Sequence, residues 1–525
     1  METIAETKRK YDSFTHEQFI ELIATMQGKI DGLMQALFQK KSERLQEDPQ
    51  GMRSMFDEIE ELAEAAEVEA SSGVEADDES VTVGSFTRKK RGKRKPLPEN
   101  LPRERVEYDL SEEDKICKIH GTQMDKIGEK VSEKIEIIPA KSKIIQEVRF
   151  SYKCSCCSDT EVKDTIITAP TVPSIIPKSF STPSLLAYIA TAKFHDGLPL
   201  YRQEKIFQRY EIDLDRTTMA RWMIQCAIAA QPLINLMQED LLERAVIGCD
   251  ETPLQVLKEP QRTAEQKSYM WVTRSMFGKS IVVFHYHQGR SAKTASEILG
   301  DYSGIVVCDG LKTYDSFAKD KATQLAACMA HIRRKFMSAH KALKKANPKA
   351  EPRTVQPLKL IKELYKIEAE IKGNPLESIQ LIRQERSKVL MDRLKDWFDT
   401  HQGKVLPKSL TGKAITYALD QWEKMSLFLD NPLVPIDNNP TERSIRPFVI
   451  GRKNWLFAAN PKGANASATI YSLIESAKEN SIEPFEYLKL IFNELPKAKE
   501  LSDYKRLLPH EVKWHYDLQG YHLPT

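Results

Sequence analysis

No stretch of this 525-residue chain approaches the ~20 consecutive apolar side chains that a bilayer-spanning helix needs. The first residues, METIAETKRKYDSF, have no apolar core of the kind a secretory signal carries. A membrane partner is therefore not expected, and the cytoplasm is the expected location. Net charge is nearly absent as well: 78 Lys and Arg stand against 75 Asp and Glu, a balance of +3. Bulk charge thus does not mark a nucleic-acid binder. Cysteine is sparse, eight in all, and Cys226, Cys249, Cys308 and Cys328 stand alone in the chain. Single, scattered cysteines are the pattern of small buried apolar residues in a reducing compartment. With 41% hydrophobic and 29% charged residues, the chain reads as a soluble globular protein. It is too long for one compact core, and about two to four domains are expected.

Charge is unevenly spread. Residues 57–79 are acidic, and TRKKRGKRKP at 87–96 is a basic block. Together with the proline-rich stretch that follows, residues 48–110 read as a charged linker, too poor in apolar residues to build a core. The basic block either holds DNA phosphates or is a solvated tail. Ahead of it, residues 1–47 contain a helical run in which Phe19, Ile23, Met26, Ile30, Leu33 and Leu37 repeat at spacings of four and three. That spacing suits a coiled-coil seam joining two chains, or a helix packed on its own chain.

Residues 111–168 alternate apolar and polar side chains in short runs (SEKIEIIPA, SKIIQEVRFSYKC, DTIITAP) and read as a small β domain. Within it, Cys117-x-x-His120 and Cys154-x-x-Cys157 offer two closely spaced ligand pairs, which suits tetrahedral structural zinc. Cys156 competes as a ligand, and a set of free thiols is the other reading. Residues 169–240 are helical. Thr182 and Pro183 open a first helix, Gly197 breaks it, PLYRQEKIFQRY forms a second, and Asp215 caps a third. The short EIDL turn gives a helix-turn-helix spacing, with Arg216, Thr217, Thr218 and Arg221 facing outward where base edges are read. An ordinary helical bundle has the same spacing.

Residues 241–336 change character. AVIGCDETPLQVL, KSYMWVTRSM, KSIVVFHYH, SGIVVCDG and QLAACMAH are strand-like, with a helix, KTASEILGDY, between the third and fourth. This predicts an α/β core built on a mixed sheet. Residues 337–432 read as a charged helical insertion anchored by Trp397 and Trp422. Residues 433–495 are again helical, and 496–525 form a C-terminal tail. Asp250 and Asp309 each close an apolar strand. Such a pair either caps two turns or holds magnesium through hard oxygen ligands. Glu442 follows Asn439 and Pro440, a position fit for a capping-box glutamate as well as for a third metal ligand. Carboxylates of this number around two divalent ions make a phosphodiester site.

The motifs CDETP at 249–253, CDGLKTYDSF at 308–317, CMAHIRRKF at 328–336 and DNNPTERSIRPFVIGRKNWLF at 437–457, in this order, resemble the transposase of the insertion sequence 66 family. KFHDGLPLYRQEKIF at 193–207 is similar to that family's helical DNA-binding region. The Cys/His cluster lies where the family binds zinc, with His120 standing where its pattern usually has cysteine. The resemblance implies a ribonuclease-H-like core and an Asp–Asp–Glu triad of Asp250, Asp309 and Glu442 that uses magnesium or manganese. It also implies cleavage at the element's 3′ ends and strand transfer into double-stranded target DNA. The expected DNA contacts are Arg216, Thr218, Arg221, Arg333, Arg334, Arg443, Arg446, Arg452, Lys453 and Trp455. A homodimer or larger synaptic complex is implied, and companion element-encoded proteins often accompany the family. His331 is expected to be a satisfied structural histidine, and core packing is an equal alternative for Trp455.

Overall fold

A computed structural model describes residues 15, 18–27, 30, 142–153, 166–319, 321–349 and 351–514. The chain divides into two compact units, 49–171 and the remainder. In the smaller unit β1 (Ser151–Lys153) pairs antiparallel with β2 (Ile166–Thr168), Tyr152 facing Ile167 across the ladder. The strand expected over SKIIQEVRFSYKC is confined to its end, because 142–150 take no regular structure. The linker, the basic block and the four expected zinc ligands lie outside the described residues.

The larger unit is built on one five-stranded sheet. It opens with three helices, α1 (Pro183–Phe194), α2 (Leu200–Arg209) and α3 (Arg216–Leu242). The sequence signals set their starts: Thr182 accepts from Leu185 N, and Asp215 accepts from the backbone of Thr217 and Thr218. α3 continues through Pro232 to Leu242. Its buried side, with Met219, Trp222, Met223 and Leu233, sits in the main core, so the helix-turn-helix-like region shares that core.

Next come β3 (Val246–Gln255), β4 (Lys267–Ser275), β5 (Val282–His287), α4 (Ala292–Leu299), β6 (Ile305–Cys308), α5 (Lys312–Ala318) and β7 (Gln324–Ala327). The strands lie in the order β5-β4-β3-β6-β7. β3 is central, antiparallel to β4 and parallel to β6. All five expected strands and the intervening helix are present. Side chains alternate between two cores. Ile247, Val306 and Cys308 face the first, Val246, Ile305 and Val307 the second.

The second core is covered by the helical insertion: α6 (Met329–Ala346), α7 (Val355–Glu370), α8 (Leu376–Ile382), α9 (Lys388–Gln402), α10 (Leu410–Asp420) and α11 (Trp422–Asp430). The insertion is thus one of the two layers over the sheet. It also has no boundary at 336, since α6 begins before that point with no glycine or proline to break it. Phe336 of α6 stacks on Phe398 of α9 at 5.5 Å, with Trp397 edge-on to both. The first core is closed by α12 (Asn439–Trp455), α13 (Pro461–Glu479) and α14 (Pro484–Glu494), followed by α15 (Leu501–Arg506). Residues 496–514, read as a tail, are packed instead, with Leu507, Leu508 and Val512 buried.

The outer edge of β5 is satisfied by side chains of α13. Ser472 accepts from Phe284 N, and Ser476 accepts from Val282 N while donating to Val282 O. Serines one helical turn apart thereby protect an edge that would otherwise present unpaired backbone. The helical segment at 18–27 buries Glu21 and Ala24 and turns Phe19, Ile23 and Met26 outward. Glu21 accepts from Leu406 N, so the helix packs on its own chain by the face opposite the proposed seam. Leu33 and Leu37 lie outside the described residues.

Arg274 ties these layers together. Buried on β4, its guanidinium donates to Pro440 O and Ser444 Oγ of α12 and forms an ion pair with Glu479 of α13. Replacing Arg274 by Met removes the donor to Ser444 Oγ and the ion-pair partner of Glu479. We expect a loss of about 3 kcal/mol in denaturant unfolding, and an unchanged midpoint would disprove the clamp.

Candidate active site

β3 does not end at Asp250. It runs on to Gln255 because β4 pairs along its whole length, with Asp250 opposite Val272 and Gln255 opposite Lys267. On the other side the β6 ladder reaches only Gly248, opposite Val307. Asp250 and Asp309 each lie two residues beyond that last pair, so Asp250 faces the opening that β6 leaves by stopping. Pro253, which has no N–H to donate, falls in the same unpaired stretch.

Glu442 is brought to this opening by α12, which is fixed to β3 at both ends. At its start, Asn438 Nδ2 donates to Cys249 O at 3.1 Å. The helix comes so close to Gly248 that a Cβ there would lie 2.0 Å from Thr441 Oγ1 and 3.0 Å from Asn438 Oδ1. At its end, Leu456 turns into the left-handed region at φ 67°. The chain then runs beside β3, with Ala458 N donating to Gln255 O and Leu257 N to Ala458 O.

The capping-box reading of Glu442 fails on geometry. The N-cap is Asn438, one residue earlier than expected, which puts Glu442 beyond the capping-box place. The carboxylate is 1% exposed. Oε2 accepts from Arg334 Nη2 at 3.5 Å, while Oε1 is buried with no hydrogen-bond partner among the described residues, 3.6 Å from His331 Nδ1. Asp437, the other buried acid nearby, is fully used by Tyr365 and by the backbone and side chain of Asn439.

The acids share one electrostatic environment. Burial, and then the carboxylates of Glu251, Glu442 and Asp309, push the Asp250 carboxyl well above its ordinary range. Burial also raises Asp309, opposed by the Leu311 N–H and Arg290. Glu442 is raised to about 7 by burial, with Asp437 and Asp309 adding and Arg334 opposing. Glu251, which the sequence reading passed over, is raised to about 7 by burial and by Asp309, although Tyr314 donates to it at 2.8 Å. Partly buried carboxylates that repel one another make a site that favours a cation. All-oxygen donors suit magnesium or manganese. The insertion walls one side: Tyr417 of α10 lies against Gly310, where a Cβ would stand 2.5 Å from its hydroxyl.

The expected DNA contacts fall into two sets. Arg216, Arg221, Arg443 and Lys453 are exposed, and Arg446 is half-buried. Thr218 donates its hydroxyl to Asp215. Arg333 acts electrostatically on Tyr365, and Arg334 on Glu442. Arg452 donates to Thr252 Oγ1 and Pro253 O, bracing α12 on β3. Trp455 packs edge-on to Phe448 at 5.5 Å with its Nε1 buried. His331 is not satisfied: its Nδ1 has no hydrogen-bond partner among the described residues, and burial together with Arg334 and Lys335 lowers its pKa to about 3.

Residues 178–466 match the profile described as Transposase IS66 family. The chain belongs to the IS66 transposase family. Residues 472–510 match the IS66 C-terminal element, 114–158 the zinc-finger binding domain of transposase IS66, and 26–106 the transposase C of IS166 homeodomain. Curated relatives include three proteins of Sinorhizobium fredii (strain NBRC 101917 / NGR234). Uncharacterized protein y4qI is 32% identical over 75% of this chain and 73% of its own length. Uncharacterized protein y4jD is 30% identical over 79% and 81%, and uncharacterized protein y4hP 29% over 90% and 88%. A zinc-finger domain is thus part of this family member, and its DNA-binding character follows from the family. No helix among the described residues is long and apolar enough to cross a membrane.

Two outcomes test this geometry. Glu251 and Glu442 have folded values near 7, above the ordinary 4.5. The folded chain therefore holds protons that the unfolded chain releases, and metal-free stability should fall as pH rises from 4.5 to 7 and then level off. Magnesium should raise the thermal midpoint more above that window than at its acid end. An equal rise at both ends would refute the shared cation site. Gly248→Ala should cost about 2 kcal/mol by overpacking, and adding Thr441→Ala should recover part of it. Additive losses in that double-mutant cycle would show that the close approach is not limiting.

Proposed function

We propose that this transposase is of the Asp–Asp–Glu type, cutting the 3′ ends of an insertion-sequence element and joining them to target double-stranded DNA on a ribonuclease-H-like core. What supports the reading is the electrostatic coupling of Asp250 to Asp309 and Glu442 beside the opening that β6 leaves, with a buried Glu442 oxygen that has no hydrogen-bond partner among the described residues. The core assignment is supported by the central first strand, an antiparallel β3-β4-β5 ladder on one side, two strands parallel to β3 on the other and helices on both faces.

Asp250 and Asp309 would flank a pair of magnesium or manganese ions, and Glu442 would bind the second. Bound there, the metal lowers the pKa of the attacking water or 3′ hydroxyl and stabilises the leaving oxygen. Arg334 orients Glu442. Arg443 and Lys453, exposed on the helix that carries Glu442, would hold phosphates of the DNA end, as would Arg446 and Arg333. Arg216 and Arg221, at the exposed start of α3, are assigned to reading the terminal repeat, with Thr218 holding the helix start. Arg452 and Trp455 serve instead to fix α12. Two element ends must be held together for joining, so the working form is a homodimer or larger complex on DNA.

The test is an in vitro assay with DNA carrying the element's terminal repeats and magnesium or manganese. Asp250→Asn, Asp309→Asn and Glu442→Gln should each abolish cleavage and joining while leaving repeat binding in place. Joined product from the Asp250→Asn chain would overturn the assignment, and cleavage by the unaltered chain without joining would reduce it to a nuclease.

A further inference from the structure

The sequence carries the spacing Cys-x-x-His twice. The first instance, Cys117 and His120, lies in the zinc-finger region. The second is Cys328 and His331, where β7 gives way to α6. Cys328 is the N-cap of α6 and His331 its third residue, so the two lie on one face of its first turn. α12 brings Glu442 against that face. The ligand atoms of Cys328, His331 and Glu442 all lie within 4.8 Å of one another.

We propose that Cys328, His331 and Glu442 form a second divalent-ion site, of the mixed sulfur, nitrogen and oxygen kind that takes zinc or cobalt rather than magnesium. Two donor atoms, His331 Nδ1 and Glu442 Oε1, are buried without hydrogen-bond partners and stand 3.6 Å apart. That is too far for a hydrogen bond. It matches the roughly 3.5 Å that separates two ligand atoms on a tetrahedral zinc. Cys328 is 2% exposed, and its sulfur accepts from Asn438 N at 3.2 Å, the kind of outer contact that holds a metal-binding thiolate in place. When the ion binds, the thiol gives its proton to solvent. The resulting thiolate and the Glu442 carboxylate then balance the two positive charges. Three protein ligands leave a fourth position for water. Magnesium, which prefers oxygen, would stay with the aspartates. Because Glu442 belongs to both groups, zinc here would draw it away from them. Only this competition rests on the function proposed above; the site itself does not.

The metal-free full-length chain would be titrated with cobalt, following the sulfur-to-cobalt charge-transfer band. The Cys328→Ser chain, in which serine keeps an acceptor for Asn438 N, should bind one equivalent fewer with a correspondingly weaker band. His331→Ala should show the same deficit, which keeps the test decisive if serine at 328 does not fold. A Cys154→Ser chain should retain this equivalent, separating it from the zinc finger. Asp250→Asn should retain it too, so that loss of strand transfer and loss of this site are told apart. Identical cobalt titrations for the unaltered, Cys328→Ser and His331→Ala chains would overturn the proposal.

Discussion

Everything at the candidate centre depends on the way α12 is laid along β3. The helix approaches the strand at Gly248, where a side chain would collide with Thr441, and Asn438 reaches across to the carbonyl of Cys249. Its far end returns to the same strand through Ala458. Arg274 adds a third tie from β4. A glutamate far along the chain from Asp250 and Asp309 is thereby held on a rigid support. A loop could span the same distance but could not hold the carboxylate in one place.

The same arrangement creates an electrostatic problem that the fold does not resolve by itself. Removal from water raises the proton affinity of four carboxylates, and Asp309 adds to it at Asp250, Glu251 and Glu442. Tyr314, Arg290 and Arg334 relieve this only in part. Burying unpaired charge of one sign is costly, and proteins retain such groups where a cation or proton transfer is part of the work. His331 meets Glu442 on its other side, each with a buried polar atom that finds no hydrogen-bond partner among the described residues.

The two layers over the sheet have different parts. α12 and α13 close one face and position Glu442. The insertion closes the other, and Arg383 locks it internally by pairing with Glu368 and donating to the carbonyls of Phe428, Asn431 and Val434. Through Tyr417 it also walls the turn after Asp309. A segment that looks like an interruption in sequence thus supplies half of the core and one side of the site.

The five strands, the helix between them and the caps at Thr182 and Asp215 were legible in the sequence. Apolar runs, turn residues and capping side chains act over a few neighbours and leave a local signature. What the sequence left open was decided by contacts between distant segments. β3 passes Asp250 because β4 pairs with it to the end. Glu442 is no capping residue because the helix begins one residue earlier and its carboxylate turns inward. Residues 496–514 are no tail because Leu507, Leu508 and Val512 find the core. Glu251 and the Cys328–His331 pair had signals in the sequence, an adjacent acid and a repeated spacing, but such signals gain meaning only once burial removes their water and brings Glu442 beside them. The sequence by itself determined which segments become strands and helices and which acids are available. Tertiary structure alone decided which of those acids share a site, because proximity between residues far apart in the chain comes from packing.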